Sequence, residues 1–434
     1  MTEKKGSLVV IGSGIKAVGQ FTLQAQAHIR QADIVLYAAS DPVTDIWIRQ
    51  QNPNSFDLYQ YYADDKARLM TYVQMIERIM DEVRAGKHVC ALFYGHPGVF
   101  VTPSHNAIKI ARDEGYDAVM LPAVSAEDCL YADLGVDPSV PGLQIYEATD
   151  FLIRRRNVDT SVNLVLFQVG CVGELGFKFG GYVNDKFNVL LDYLEDIYGP
   201  DHIVVNYVAN VFAGDPVIDR HTLAEYRNPD IARKVTGVST FFIEAARTEA
   251  ADPEMSEKLG LKSVGPGRNS PLICHVANYP ELATRARSSN WKHQAPPGYK
   301  YSHASEALYQ TLLDLMLSPD ALRAFRADPN GFVHARPGLS AEERRKLLIQ
   351  HHGVTRMMFK RDPLQEATRF VGAALLDPRL AHDYRDKLNA VKQSFDEGNV
   401  SPAAYECDIS EWLIDKGYAT TPSAVRQATK EVYV

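Results

Sequence analysis

Val89-Cys-Ala-Leu-Phe-Tyr-Gly-His-Pro-Gly-Val-Phe-Val-Thr-Pro-Ser-His105 decides how this chain is read. Val89 to Tyr94 form a buried apolar strand, which runs into a turn built on Gly95, Pro97 and Gly98. Thr102-Pro103-Ser104 then opens a helix that continues through Ala107, Ile108, Ile110 and Ala111. A strand that ends in a glycine turn and feeds a helix presents backbone N–H groups at the carboxyl end of an open α/β sheet, where ligands bind. The same pattern also serves as a tight strand–helix connection with no ligand. Locally, both readings stand.

The pattern recurs on either side. Ser7 to Ile11 is a short buried strand followed by Gly12-Ser-Gly14-Ile-Lys-Ala17, with a helix expected from Ile15 to about Gln31. A dinucleotide fold would place a pyrophosphate on this turn and a ribose on an acid about 20 residues later, a part open to Asp41. Further strands are expected at Ile34 to Tyr37 and Ala118 to Leu121, with Pro122-Ala-Val-Ser-Ala126 opening another helix. Short strands alternating with helices predict a largely parallel sheet over residues 1–135. A second α/β unit follows over 136–250, with strands at Asn163 to Val169, His202 to Val208 and Val238 to Ile243 and an amphipathic helix from Asp185 to Tyr198. Two α/β lobes leave a cleft between them.

At 434 residues the chain is long enough for about three domains, and a net charge of −8 gives no support for nucleic acid or an anionic membrane as partner. There is no apolar run long enough to span a bilayer, and Met1-Thr-Glu-Lys-Lys5 leads straight into a strand. Five scattered cysteines, Cys90, Cys129, Cys171, Cys274 and Cys407, without a C-x-x-C pair, argue for reduced thiols in a cytoplasmic protein and against a metal site.

Asp57-Leu-Tyr-Gln-Tyr-Tyr-Ala-Asp-Asp-Lys-Ala-Arg-Leu-Met-Thr-Tyr72 is the second unusual stretch. Asp64 and Asp65 suit a helix N-terminus, and Leu69, Val73, Ile76, Met80 and Val83 predict a core stripe at helical spacing. Arg68 and Tyr72, four apart, share another face. Tyr59, Tyr61 and Tyr62 either pack at a helix entrance or join Arg68 in a phenol–guanidinium cluster suited to an oxyanion.

The texture changes after residue 250. Residues 251–302 are turn-rich, with Val264-Gly-Pro-Gly267 and Ala295-Pro-Pro-Gly298, and read as a linker or clasp arm. Helical modules follow at 303–362 and 363–417, then a tail at 418–434. Ser318-Pro319 is a helix start and Ser340-Ala-Glu-Glu343 a capping box. Leu317, Pro319, Phe325 and Arg326 recur as Leu376, Pro378, Tyr384 and Arg385, and Ser340 approximately as Ser401, so the modules read as a repeat.

Gly12 and Gly14, Tyr94-Gly-His-Pro-Gly-Val-Phe100 and Leu121-Pro-Ala-Val-Ser-Ala126 together resemble the tetrapyrrole-methylase superfamily, with Ala123 where a glycine is usual. Within it, Asp57 to Tyr72, Tyr146 to Ile153, Leu166 to Gly173 and Gly237 to Phe241 look like the borosin peptide α-N-methyltransferases of the omphalotin type. The resemblance implies a two-lobed α/β methyltransferase, then a clasp and C-terminal all-α modules. It implies S-adenosyl-L-methionine as methyl donor, with S-adenosyl-L-homocysteine as product. The donor pocket would take Gly12, Gly14, Tyr94, Gly95, His96, Pro97, Gly98, Val99 and Phe100 from one side. Ser125, Ala126, Gln168, Gly237, Ser239 and Thr240 would complete it. His96 and His105 would shape the loop, since a transferred methyl group needs no protonation.

The reaction implied is methylation of peptide backbone nitrogens in ribosomal peptide natural product biosynthesis. A backbone N–H is a poor nucleophile because its lone pair is delocalised into the carbonyl. Arg68 and Tyr72 would hold the imidate oxygen. Tyr62, its pKa lowered by the guanidinium, would take the proton, and Tyr59 would orient the peptide. The family further implies an interlocked homodimer that methylates its own C-terminal segment in trans, here with Val432, Tyr433 and Val434 as candidate acceptors. Two departures bear on this. A second helical module stands where an apolar core peptide is expected, and Gly353 where a tryptophan is expected. A separate precursor peptide, or a tetrapyrrole-like small molecule, is the alternative substrate. An NAD-binding oxidoreductase on Gly12, Gly14, Ala17 and Asp41, or a peptide-binding adaptor with an inactive lobe, leaves the tyrosine cluster without a use.

Overall fold

The computed structural model describes residues 6–39, 41–64, 66–212, 214–260, 283–284, 287 and 305–349. The chain divides into two compact units, 1–277 and 278–434. In the first, β1 (Ser7–Gly12), β2 (Ile34–Ala38), β3 (Ser55–Asp57), β4 (His88–Phe93) and β5 (Asp117–Met120) form a parallel sheet in the order β3-β2-β4-β1-β5. The central strands are nearly unbroken Val, Ile, Leu and Ala because both faces are covered. Val9, Ile11, Val35, Tyr37, Cys90 and Leu92 pack under α1 (Leu23–Gln31) and α2 (Pro42–Gln51). Leu8, Val10, Leu36, Val89 and Ala91 pack under α3 (Arg68–Arg84) and α4 (Thr102–Asp113). The connection from β1 therefore leaves on one face and that from neighbouring β4 on the other, which opens a crevice at their carboxyl ends.

Three sequence expectations change here. The helix expected from Ile15 begins only at Leu23, capped by Thr22. Gly14 and Val18 both take positive φ, and the Gln20 Oε1 accepts the N–H groups of Ile15 (2.7 Å) and Lys16 (2.9 Å), so a loop replaces two turns of helix. α1 thus does not begin on the Gly12–Gly14 turn as a pyrophosphate site there requires, and Asp41 caps α2 through the Thr44 N–H at 2.8 Å. In α3 the stripe is displaced: Leu69 and Val73 are 64% and 41% exposed, while Thr71, Met75, Ile76, Ile79, Met80 and Val83 face the sheet. Asp64 does not cap this helix, whose N-cap is Ala67.

The second lobe holds β6 (Leu143–Glu147), β7 (Asn163–Phe167), β8 (Ile203–Val208), β9 (Val217–Thr222) and β10 (Thr240–Ile243), in the order β6-β7-β10-β8-β9. Only β6 and β7 pair in parallel. Phe151 of α6 (Ala148–Ile153) and Phe187, Leu190, Leu191 and Leu194 of α7 (Phe187–Tyr198) cover one face. Val165, Val205, Tyr207 and Phe242 on the other face pack against Ile15 of the first lobe and Cys129 and Leu130 of α5 (Ala126–Leu134). Tyr207 donates to the Asp133 carboxylate at 2.6 Å across this seam. The short helices α8 (Pro229–Ala232) and α9 (Pro253–Lys258) end the unit's described part.

In the second unit α10 (Glu306–Leu317), α11 (Pro319–Ala327), α12 (Pro329–His334) and α13 (Ala341–Ile349) enclose Leu308, Phe325, Val333, Leu339 and Leu347. Ser318 caps α11, and Ser340 with Glu343 forms the capping box, whose carboxylate also accepts the Ser305 N–H at 3.2 Å. Such caps are worth about 1 kcal/mol each. Most of 251–302, Gly353, the second module and the tail with Val432, Tyr433 and Val434 lie outside the described residues. Among the described residues, Cys90, Cys129 and Cys171 are free, no acidic–His–Cys group could hold a metal, and no helix is long and apolar enough to cross a membrane.

Candidate active site

Three turns meet at the carboxyl ends of β1, β4 and β5. Gly14 and Gly95 exchange backbone hydrogen bonds (3.3 and 3.1 Å), and the Ser13 N–H donates to the Phe93 carbonyl at 2.9 Å. A Cβ on Gly12 would stand 2.0 Å from the Gly95 oxygen, 2.7 Å from the Ala123 methyl and 2.8 Å from Pro97, so only glycine lets them close. His96 Nδ1 accepts the Gly98 N–H at 2.9 Å, and His105 Nε2 lies 3.0 Å from the Gly98 carbonyl. Both histidines therefore brace the turn. Ser125 caps α5 reciprocally with Asp128, which commits the Ser125 N–H (2.6 Å) and hydroxyl (2.7 Å) to that carboxylate. Ser125 thus supports its turn and does not offer its own N–H, whereas Ala126 begins the helix.

The second lobe supplies the opposite wall. Phe100, held at φ 55°, packs its ring 4.8 Å from Phe167 at the end of β7. Gln168 follows with φ 59°, and Gly170 leaves no room for a Cβ because the Thr236 oxygen would be 1.9 Å away. Ser239 Oγ accepts the Thr236 N–H at 2.9 Å; Thr240 is buried, and Gly237 lies under the Tyr182 ring.

The tyrosine cluster lies where the segment before α3 is tied to residues 174–182 of the second lobe. Arg68 donates from its backbone N–H to Leu175 O at 3.0 Å and from its guanidinium to Glu174 O. Ala67 bridges Gly176, and the Asp64 carboxylate accepts the Phe179 N–H at 2.8 Å. Tyr62 is sandwiched between Tyr59 (5.2 Å) and Phe177 (4.4 Å). Tyr72 lies close enough to both Arg68 and Tyr62 to influence each electrostatically.

Electrostatics correct one expectation. Burial, reinforced by Tyr72 and Tyr59, pushes the Tyr62 phenol well above its ordinary value, and the nearby Arg68 only partly offsets this. Burial likewise raises Tyr59, Tyr182 and the Cys171 thiol. Burial works against the charge of Arg68, yet Tyr72, Tyr182 and Cys171 around it keep its pKa above the usual guanidinium value. At rest Arg68 is a cation beside the neutral phenols of Tyr59, Tyr62 and Tyr182. Cys171, at the end of the turn after β7, joins the cluster, as do Phe177 and Tyr182, to which the sequence does not point because residues 174–182 form an irregular segment without periodicity.

Comparison with known proteins gives the family. The family of tetrapyrrole (corrin/porphyrin) methylases matches residues 7–166, and the borosin biosynthesis clasp domain matches 287–374. The methyltransferase/ribosomally synthesized cyclic peptide omphalotin A precursor of Omphalotus olearius is 44% identical over 85% of this chain and 92% of its own length. The chain belongs to the borosin methyltransferase–precursor family. Another borosin relative, a type III borosin cyclic peptide precursor and methyltransferase from Anomoporia bombycina, is 44% identical over 98% of this chain. This borosin chain spans only 50% of that relative's length. Among solved structures, uroporphyrin-III-C-methyltransferase from Thermus thermophilus covers 60% of the borosin chain and is itself covered to 99%, at 15% identity and a TM-score of 0.40.

Proposed function

We propose that this borosin methyltransferase moves methyl groups from S-adenosyl-L-methionine to backbone amide nitrogens of a peptide, its own C-terminal segment acting in trans within a homodimer. The observation that carries the reading is the Arg68 guanidinium, fixed on the Glu174 carbonyl and set among Tyr62, Tyr72 and Tyr182. The turns fit the donor: the glycines at 12, 14, 95 and 98 let the turns close on one another at the crevice, and Phe100 and Phe167 offer an aromatic wall. When bound there, S-adenosyl-L-methionine supplies an electrophilic methyl group on a sulfonium.

The remaining chemistry falls to the chain. Arg68 and Tyr72 present N–H and O–H donors to the amide oxygen and stabilise the negative charge that develops as the nitrogen loses its proton. Tyr62 accepts that proton as its phenolate, the phenol's own proton having first passed to solvent. Its raised proton affinity brings it closer to that of an amide than an ordinary phenol would be, at the cost of a small phenolate population near neutrality. Tyr59, packed on Tyr62, sets the plane in which the peptide lies.

Intact mass after incubation with S-adenosyl-L-methionine tests the reading. Single-methyl steps that fragmentation assigns to backbone nitrogens near the C-terminus support it. An unchanged chain beside a methylated added precursor peptide moves the substrate to a separate molecule, and methylation of a tetrapyrrole alone overturns the peptide reading. For Tyr62→Phe, single-turnover methylation at saturating substrate should fall by about 10²-fold or more, and full retention would remove Tyr62 as the base.

A further inference from the structure

We propose that Phe177 is a positioning residue for the reaction: delivered from the second lobe, it covers one face of the Tyr62 ring and thereby sets where that phenol ionises. The proposal deepens the proposed function and rests on its assignment of the proton acceptor. Phe177 and Tyr62 are 115 residues apart in sequence, yet their ring centroids are 4.4 Å apart at an interplanar angle of 35°. Phe179 meets Phe177 edge-on at 5.1 Å and supports it from behind. Tyr59 stands beside Tyr62 at 5.2 Å, so aromatic carbon flanks the phenol from both lobes.

The placement is enforced by the backbone. Among the described residues, several ties join 64–68 to 174–179. They are the Asp64 carboxylate to the Phe179 N–H, the Ala67–Gly176 bridge, of which the Arg68 N–H to Leu175 O bond is part, and the Arg68 guanidinium to Glu174 O. Phe177 sits in the middle of this ladder, directed at the residue that the proposed function makes the base. A phenolate needs water or donors around its oxygen and ring edge, and an apolar ring pressed on it removes part of that solvation. Burial is also the largest cause of the raised proton affinity of Tyr62. Removing the Phe177 ring opens that face of Tyr62 to solvent while Arg68, Tyr72 and the glycine turns keep their side chains.

The test compares the full-length protein with Phe177→Ala and Phe177→Leu. With ¹³C-labelled tyrosine ring carbon, the Tyr62 resonance is identified by its loss in Tyr62→Phe. Tyr62 should remain un-ionised through about pH 10, the ordinary phenol value, in the wild type and in Phe177→Leu, which keeps an apolar cover. In Phe177→Ala it should ionise at least about tenfold more at that pH, and the rising limb of single-turnover rate against pH should move the same way. An unmoved Tyr62 titration in Phe177→Ala overturns the role of Phe177 and leaves the proposed function standing. A moved titration with an unmoved rate profile overturns Tyr62 as proton acceptor, and the catalytic role of Phe177 falls with it. Should Phe177→Ala lose its fold, Phe177→Ser and Phe177→Asn are read by the same two profiles, with the same outcomes deciding.

Discussion

At the scale of single residues, the site turns on a guanidinium with two occupations. Arg68 donates to Glu174 O while lying close to Tyr72, and its charge partly offsets the burial of Tyr62. Lysine could supply the charge but not the planar fork that serves two acceptors at once. Arg68→Lys should therefore fold, with an unchanged near-ultraviolet spectrum, while kcat falls by about 10²–10³ with KM little altered. A loss confined to KM would show that Arg68 binds peptide without stabilising the developing charge. The pH dependence follows from Tyr62. Its raised value means the neutral phenol dominates at physiological pH, so the rate should climb with pH past about 9 without a plateau.

At the scale of elements, α3 shows what a sequence discloses and where it stops. Its existence and its Ile76, Met80 and Val83 contacts were legible from helical spacing. Leu69 and Val73 were not, because periodicity gives an apolar arc and the sheet chooses which part of the arc to bury. Ile79→Ala should lower the stability of the first unit by about 2–5 kcal/mol in urea denaturation, and Leu69→Ser by no more than about 0.5 kcal/mol. Equal losses would mean that the helix is rotated from the position described. The glycine turns were legible for a different reason: a strand, two glycines and a helix cap are all local. The loop at 14–21 defeated the same reasoning because one side chain, Gln20, satisfies backbone donors that a helix would have used. Of the candidate site, Tyr59, Tyr62, Arg68 and Tyr72 could be picked out because they lie within 14 residues of each other. Phe177 and Tyr182 could not, since nothing in the sequence says that an irregular segment returns to Tyr62.

At the scale of the molecule, the first unit stores many buried weak acids. Burial raises Tyr37 and Tyr198 to about 12 and lifts Tyr207 and Tyr226 further, and it raises the thiols of Cys90, Cys129 and Cys171. Each group holds its proton more tightly folded than unfolded. The stabilisation is complete below the unfolded values, about 8.5 for a thiol and about 10 for a phenol, and is lost as pH rises from there towards the folded values. Each group contributes up to about 1.4 kcal/mol of loss per pH unit in that window. Denaturation midpoints should be level up to about pH 8, decline to about pH 10, and fall more steeply beyond it. A midpoint that holds level through about pH 11 would contradict the burial of these phenols.

The ladder between 64–68 and 174–179 has a mechanical meaning as well. Tyr59, Tyr62 and Tyr72 rest on the first lobe's core, whereas Arg68 is held by two carbonyls of the second. The Arg68 backbone shares α3 with Tyr72, but the second lobe holds its guanidinium, as a latch holds the free end of a hinged arm. Where its charge points is a dimension of the assembled pair of lobes. Any slackening of the seam that Tyr207 and Asp133 pin would release the guanidinium before it disturbed either sheet. Catalytic alignment should therefore be the first property this protein loses under mild denaturant, ahead of its secondary structure.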